Sequence, residues 1–124
     1  MTTGIHHVAV RVRDLERSIA FYERHFGLSV ASRATLGSGA RIAFLAHPAG
    51  GAQLELIAGL HDHLDGDGLV HHVAFGVADV PAAFARLREA GVELLEDAPQ
   101  TLASGRQLFS CRGPDGERLQ VSGG

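Results

Sequence analysis

Four polar side chains stand out because they form two pairs related by one fixed offset. His7 and Glu55 recur as His72 and Gln120, each 65 positions later, 7 to 72 and 55 to 120. Two imidazoles, a carboxylate and an amide oxygen make a mixed nitrogen–oxygen donor set for a divalent cation. Without thiolate, such a set suits Ni, Co, Mn, Fe or Zn, with open positions left for water or substrate. A carboxylate on an interior face needs a cation or hydrogen-bond donors, because burying it unpaired costs several kcal/mol. A metal-free, hydrogen-bonded polar cluster is the competing interpretation, and four repeat-related positions weigh against it. His25 and His47 read as surface residues. His6 and His71 fall by alternation on the opposite face from His7 and His72, and are not counted as ligands.

The same offset organises the rest of the chain. The run from His6 to Leu15, HHVAVRVRDL, returns as HHVAFGVADV from His71 to Val80. Leu54-Glu55-Leu56 returns as Leu119-Gln120-Val121, and Arg41 and Phe44 return as Arg106 and Phe109 with no gap. Two copies are too few for a solenoid, so the expectation is a duplicated module folded face to face. The boundaries read as a single domain over 1–124, with module 1 over about 4–58, a linker over 59–69 and module 2 over about 70–122.

Each module must place its polar pair through alternation. Over 5–12, Val8, Val10 and Val12 share one face while His7, Ala9 and Arg11 share the other, the pattern of a strand. Asp14 offers a helix N-cap, and Leu15, Ile19, Tyr22 and Phe26 form one helical stripe that Gly27 ends. Strands follow over 28–34, 41–46 and 52–58, so the first module reads β-α-β-β-β. The second repeats the plan. Val73, Phe75 and Val77 form the strand face, Asp79 caps, and Pro81 is tolerated in the first turn. Val80, Phe84 and Leu87 make the stripe and Gly91 closes the helix, with strands over 92–96, 107–111 and 118–122. Leu54 and Leu56 face the helix, so Glu55 opposes them, and Gln120 likewise opposes Leu119 and Val121. All four polar residues thus project to the concave side of their sheets, with Ala9, Ala74 and Gly76 leaving room for a ligand.

The bulk numbers exclude several classes. With 45% hydrophobic and 20% charged residues the chain is an ordinary globular protein. A net charge of −3 with no basic run argues against nucleic acid. No apolar run nears the ~20 residues of a membrane span, and no signal peptide precedes the first strand. The lone Cys111 reads as a small buried apolar residue rather than a nucleophile, and fits a reducing cytoplasm. The linker carries His61, Asp62, His63, Asp65 and Asp67, spaced unlike a calcium loop, and reads as a solvated connection.

The segments around these residues resemble the vicinal oxygen chelate superfamily, which includes glyoxalase I, methylmalonyl-CoA epimerase, extradiol dioxygenases, and fosfomycin- and bleomycin-resistance proteins. Gly4 to Val10, Asp14 to Tyr22 and Phe26-Gly27-Leu28 look like its opening. Gln53 to Ile57, His71 to Phe75, and Gly113-Pro114-Asp115-Gly116 followed by Leu119-Gln120-Val121 look like the segments carrying its second, third and fourth ligands. The resemblance implies an α+β fold of paired βαβββ modules making a cupped mixed sheet around a divalent metal held by His7, Glu55, His72 and Gln120, usually in a homodimer. It implies a small-molecule substrate. One position departs: the enzymes of this superfamily generally carry Glu where Gln120 stands, which leaves Glu55 as the one carboxylate base in the cup and the expected catalytic residue.

A metal-dependent isomerase or lyase of the glyoxalase/epimerase type leads, acting through an enediolate on a small 2-oxo or thioester substrate. An extradiol-type iron dioxygenase built on His7, His72 and Glu55 is the first alternative. A non-catalytic resistance protein is the second, although a flat ligand wants aromatic stacking and the chain has no Trp, one Tyr and six Phe.

Overall fold

A computed structural model describes residues 5–59 and 70–123, in two compact units, Met1–Leu64 and Asp65–Gly124. Beyond Gly59, the expected linker with its histidines and aspartates lies outside the described residues.

The N-terminal unit runs β1 (His7–Val12), α1 (Leu15–Phe26), β2 (Ser29–Thr35), β3 (Arg41–Ala46) and β4 (Gln53–Ala58). Its sheet has the order β1-β4-β3-β2, with β1 parallel to β4 and the other neighbours antiparallel. The helix starts where Asp14 accepts the Arg17 N–H at 3.1 Å. It stops at Gly27, whose φ of 69° is the left-handed conformation that glycine adopts without strain. Leu15, Ile19 and Tyr22 are buried against β3 and β4, where Ala43, Leu45, Leu54 and Leu56 supply the facing surface. Each such large side chain contributes about 1.5–3 kcal/mol on burial. Arg33 of β2 clasps Glu16 with two hydrogen bonds of 2.6 and 3.0 Å, tying the first helical turn to the edge strand. That pairing holds the Glu16 carboxyl below its ordinary range.

The C-terminal unit runs β5 (Val73–Val77), α2 (Val80–Glu89), β6 (Gln100–Thr101), β7 (Gln107–Arg112) and β8 (Arg118–Gly123), with sheet order β5-β8-β7-β6. Again the first strand is parallel to the last. Asp79 caps α2 by accepting the Ala82 N–H at 3.0 Å. At its end the Gly91 N–H reaches the Arg88 carbonyl and the Val92 N–H reaches the Leu87 carbonyl, a Schellman closure that needs Gly91 at positive φ. Phe84 meets Phe109 edge to face at 5.2 Å, over a core that includes Cys111, Leu119 and Val121.

Two expectations fail. The strand expected over 92–96 is not a strand; only an isolated bridge joins Leu94 to Cys111. The Glu96 side chain, through Oε1, takes the Ser110 N–H at 2.8 Å, which removes from β7 a donor that a neighbouring strand would use. Pro99, without an N–H, follows shortly after, and regular pairing resumes at β6. The gapless offset also breaks in the third strand of each module. Glu55 lies across from Phe44, whereas Gln120 lies across from Ser110 and not from Phe109. One extra residue in the second module moves every side chain of that strand to the other face. Phe109 is therefore fully buried against α2, while Phe44 shares the face of Glu55.

Among the described residues no helix is long and apolar enough to cross a membrane.

Candidate metal centre

Two of the four expected ligands are brought together within the N-terminal unit. Glu55 sits on β4 between buried Leu54 and Leu56, so the pleat turns its carboxylate to the opposite face. His7 opens β1 and pairs with Gln53, two residues before Glu55. The imidazole Nε2 stands 3.3 Å from Glu55 Oε1, with the His7 side chain 37% and the Glu55 side chain 13% exposed. The Phe44 ring meets His7 edge to face, 5.1 Å between centroids. His7 is the only partner of the Glu55 carboxylate among the described residues.

This pair fits a cation. Two ligand atoms each about 2.1 Å from one ion, in tetrahedral or octahedral geometry, stand roughly 3.0–3.4 Å apart. A shielded carboxylate with a single imidazole contact keeps most of its acceptor capacity.

Among the described residues, the C-terminal unit places Gln120 on β8 and His72 just before the neighbouring β5, without a contact between them. Gln120 lies on β8 between buried Leu119 and Val121, flanked by Ala74 on β5 and Ser110 on β7. His72 immediately precedes β5. The Gln120 amide makes no hydrogen bond to any described residue, so its oxygen is uncommitted. Within either unit, no three His, Cys, Asp or Glu side chains cluster as a metal site among the described residues.

Two features were missed in the sequence. Phe44 walls His7, which the slipped register alone reveals. His6 and His71 do not simply point away. His6 Nδ1 lies 2.8 Å from His7 Nδ1, and His71 Nδ1 lies 3.0 Å from His72 Nδ1. The alternation rule does not govern them, because both precede the first paired residue of their strands. The doubled histidine in both copies was the available signal.

Cys111 bears out its apolar role. It is fully buried, and burial, with the charges of Glu117 and Glu96, pushes its thiol up to about 11. A separate cavity of about 370 Å3 in the N-terminal unit is lined by Leu15, Glu16, Arg33, Arg41 and Ile42 among others, and contains none of the four expected ligands.

Whole-chain comparison agrees with this architecture. The family model described as Glyoxalase/Bleomycin resistance protein/Dioxygenase superfamily matches residues 4–121. The uncharacterized protein YwbC of Bacillus subtilis (strain 168) is 33% identical over 122 residues, 97% of each chain. The trypanothione-dependent glyoxalase I of Leishmania major is 26% identical, with a TM-score of 0.79 over 97% of this chain and 86% of that one. The fosfomycin resistance protein FosX of Listeria monocytogenes is 20% identical, with a TM-score of 0.80 over 100% of this chain and 95% of that one, a likeness of fold alone. FosX has also been solved in complex with Mn(II) and sulfate. Two βαβββ units in an α+β fold, a sequence match over nearly the full length and solved relatives of the same shape lead to one assignment: the chain belongs to the Glyoxalase/Bleomycin resistance protein/Dioxygenase superfamily.

Proposed function

We propose that the protein is a metal-dependent isomerase or lyase of the glyoxalase/epimerase type, acting on a small 2-oxo or thioester substrate. The observation that carries this is the His7–Glu55 pair, an imidazole and a shielded carboxylate at ligand-to-ligand spacing. His7 and Glu55 supply one half of the ligand set, and His72 and Gln120 the other. A bound divalent ion of the Ni, Co, Mn, Fe or Zn group would supply Lewis acidity to a substrate carbonyl. Glu55 is the base, acting as ligand and base in turn: its carboxylate takes the proton of the substrate C–H beside that carbonyl and returns it to the adjacent carbon. Phe44 shares the face of that carboxylate and packs edge to face against His7. The likeness to a glyoxalase I supports this assignment. The buried thiol of Cys111 agrees with a reducing cytoplasm.

Metal analysis after mild purification, followed by add-back to chelated protein, tests the ligand set. About one ion per set of four ligands is expected. No binding of Ni, Co, Mn, Fe or Zn at micromolar concentration would end this reading. Deuterium exchange from solvent into the substrate C–H, lost in Glu55→Gln with metal retained, tests the base. The alternative is an iron dioxygenase on the two-His-one-carboxylate set His7, His72 and Glu55, with its carboxylate at the second rather than the usual fourth position. Oxygen uptake with catechols under ferrous iron separates it.

A further inference from the structure

We propose that His6 and His71 are positioning residues: through their Nδ1–Nδ1 hydrogen bonds they set the tautomers of His7 and His72, so that each ligand imidazole can present an unprotonated Nε2. The inference rests on His7 and His72 being metal ligands. The geometry is the same in both units. The rings of His6 and His7 meet at 5.1 Å and 83°, and those of His71 and His72 at 5.2 Å and 82°. The nitrogen separations are 2.8 and 3.0 Å.

Two ring nitrogens at that distance share one proton. Two lone pairs or two N–H groups facing each other would repel, so the tautomers of the two rings are coupled. When the Nδ1–H of His7 donates to His6, the Nε2 of His7 carries a lone pair, which is the form a cation requires. When His6 donates instead, His7 carries its proton on Nε2 and directs it to Glu55 Oε1, 3.3 Å away. The second arrangement satisfies both ring nitrogens of His7 in the metal-free protein, and the first suits the loaded one. Passing between them moves the shared proton from His6 Nδ1 to His7 Nδ1. It also releases the Nε2 proton of His7 to water and takes a proton from water onto Nε2 of His6. No net proton is gained or lost. His6 is exposed, so water reaches it for the last step. His72 has no carboxylate on its Nε2 among the described residues, so only His71 biases its tautomer.

Long-range proton–nitrogen NMR of the full chain, with 15N-labelled histidine, reads the tautomers directly, metal-free and with Zn(II). His7 should pass from the Nε2–H to the Nδ1–H form on zinc addition while His6 moves the opposite way. His6→Ala should uncouple the His7 tautomer in the metal-free protein and weaken zinc binding about 10- to 100-fold, the usual effect of removing a ligand's outer partner. His6→Asn, whose Oδ1 accepts the His7 Nδ1–H, should recover most of that affinity, which a merely structural role would not predict. His7 resonances and zinc affinity unchanged in His6→Ala would overturn the proposal. If the wild type takes up no zinc or cobalt, the metal-ligand reading fails by itself. The metal-free spectra then judge the pairing alone: a His7 tautomer unmoved by His6→Ala overturns it.

Discussion

Alkali should remove a stabilising contribution that Cys111 makes to the fold. The thiol lies on β7 with no exposed surface, and it is pushed from its ordinary 9.0 to about 11, by burial first and then by Glu117 and Glu96. A thiol with a raised native value keeps its proton in the fold after the unfolded chain has lost its own. Below pH 9 both states are protonated and the contribution is fully present. Between pH 9 and 11 the unfolded state binds fewer protons than the native state, so stability falls as pH rises. A shift of about two units at about 1.36 kcal/mol each gives roughly 2–3 kcal/mol. Urea denaturation of the wild type and of Cys111→Ala, from pH 8 to 11 and followed by circular dichroism, measures this. For a slope of about 1–3 kcal/mol/M, the wild-type midpoint should fall by roughly 1–3 M more than that of the variant. Tyr22 and the other groups that titrate in alkali act on both proteins and cancel in the difference. Equal losses in the two would refute the reasoning, as would rapid labelling of native Cys111 by a disulfide reagent at pH 8.

Gln120→Glu should raise affinity for Co or Ni by titration calorimetry, because a carboxylate is a better ligand for a divalent ion than a neutral amide; equal or weaker binding by a folded variant would remove Gln120 from the ligand set. The register difference between modules predicts opposite costs for two phenylalanines. Phe109→Ala, fully buried against Phe84 of the α2 stripe, should cost about 3–5 kcal/mol in urea unfolding. Phe44→Ala should cost less stability but weaken metal binding by loosening His7, which the same calorimetry reads. Light scattering at tens of micromolar should give a homodimer mass, since among the described residues each unit's sheet ends in edge strands, which invite pairing; a monomer would contradict this.

The sequence alone was enough for whatever local chemistry controls. Asp14 and Asp79 cap because a short carboxylate reaches an N–H three residues on, and Gly27 and Gly91 end helices because positive φ costs them nothing. Glu55 and Gln120 oppose buried aliphatic neighbours because strand side chains alternate. The repeat made the two polar pairs visible, and its match to a known superfamily made the α+β fold legible. What pairing between distant segments decides was not legible. The offset of 65 positions holds for β1 with β4 and for β5 with β8, yet hydrogen bonding across β3 and β7 settles on partners one residue out of step. That puts Phe44 beside His7 and buries Phe109, although their sequence contexts look equivalent. Residues 92–96 have a strand-like composition, but the Glu96 carboxylate competes for a β7 donor and wins. His6 and His71 turn back on their neighbours because both lie just before the paired strand, where alternation no longer aims the side chain. Helix caps and pleats follow from residues a few positions apart, whereas register and ring–ring contacts are settled only when the whole sheet has formed.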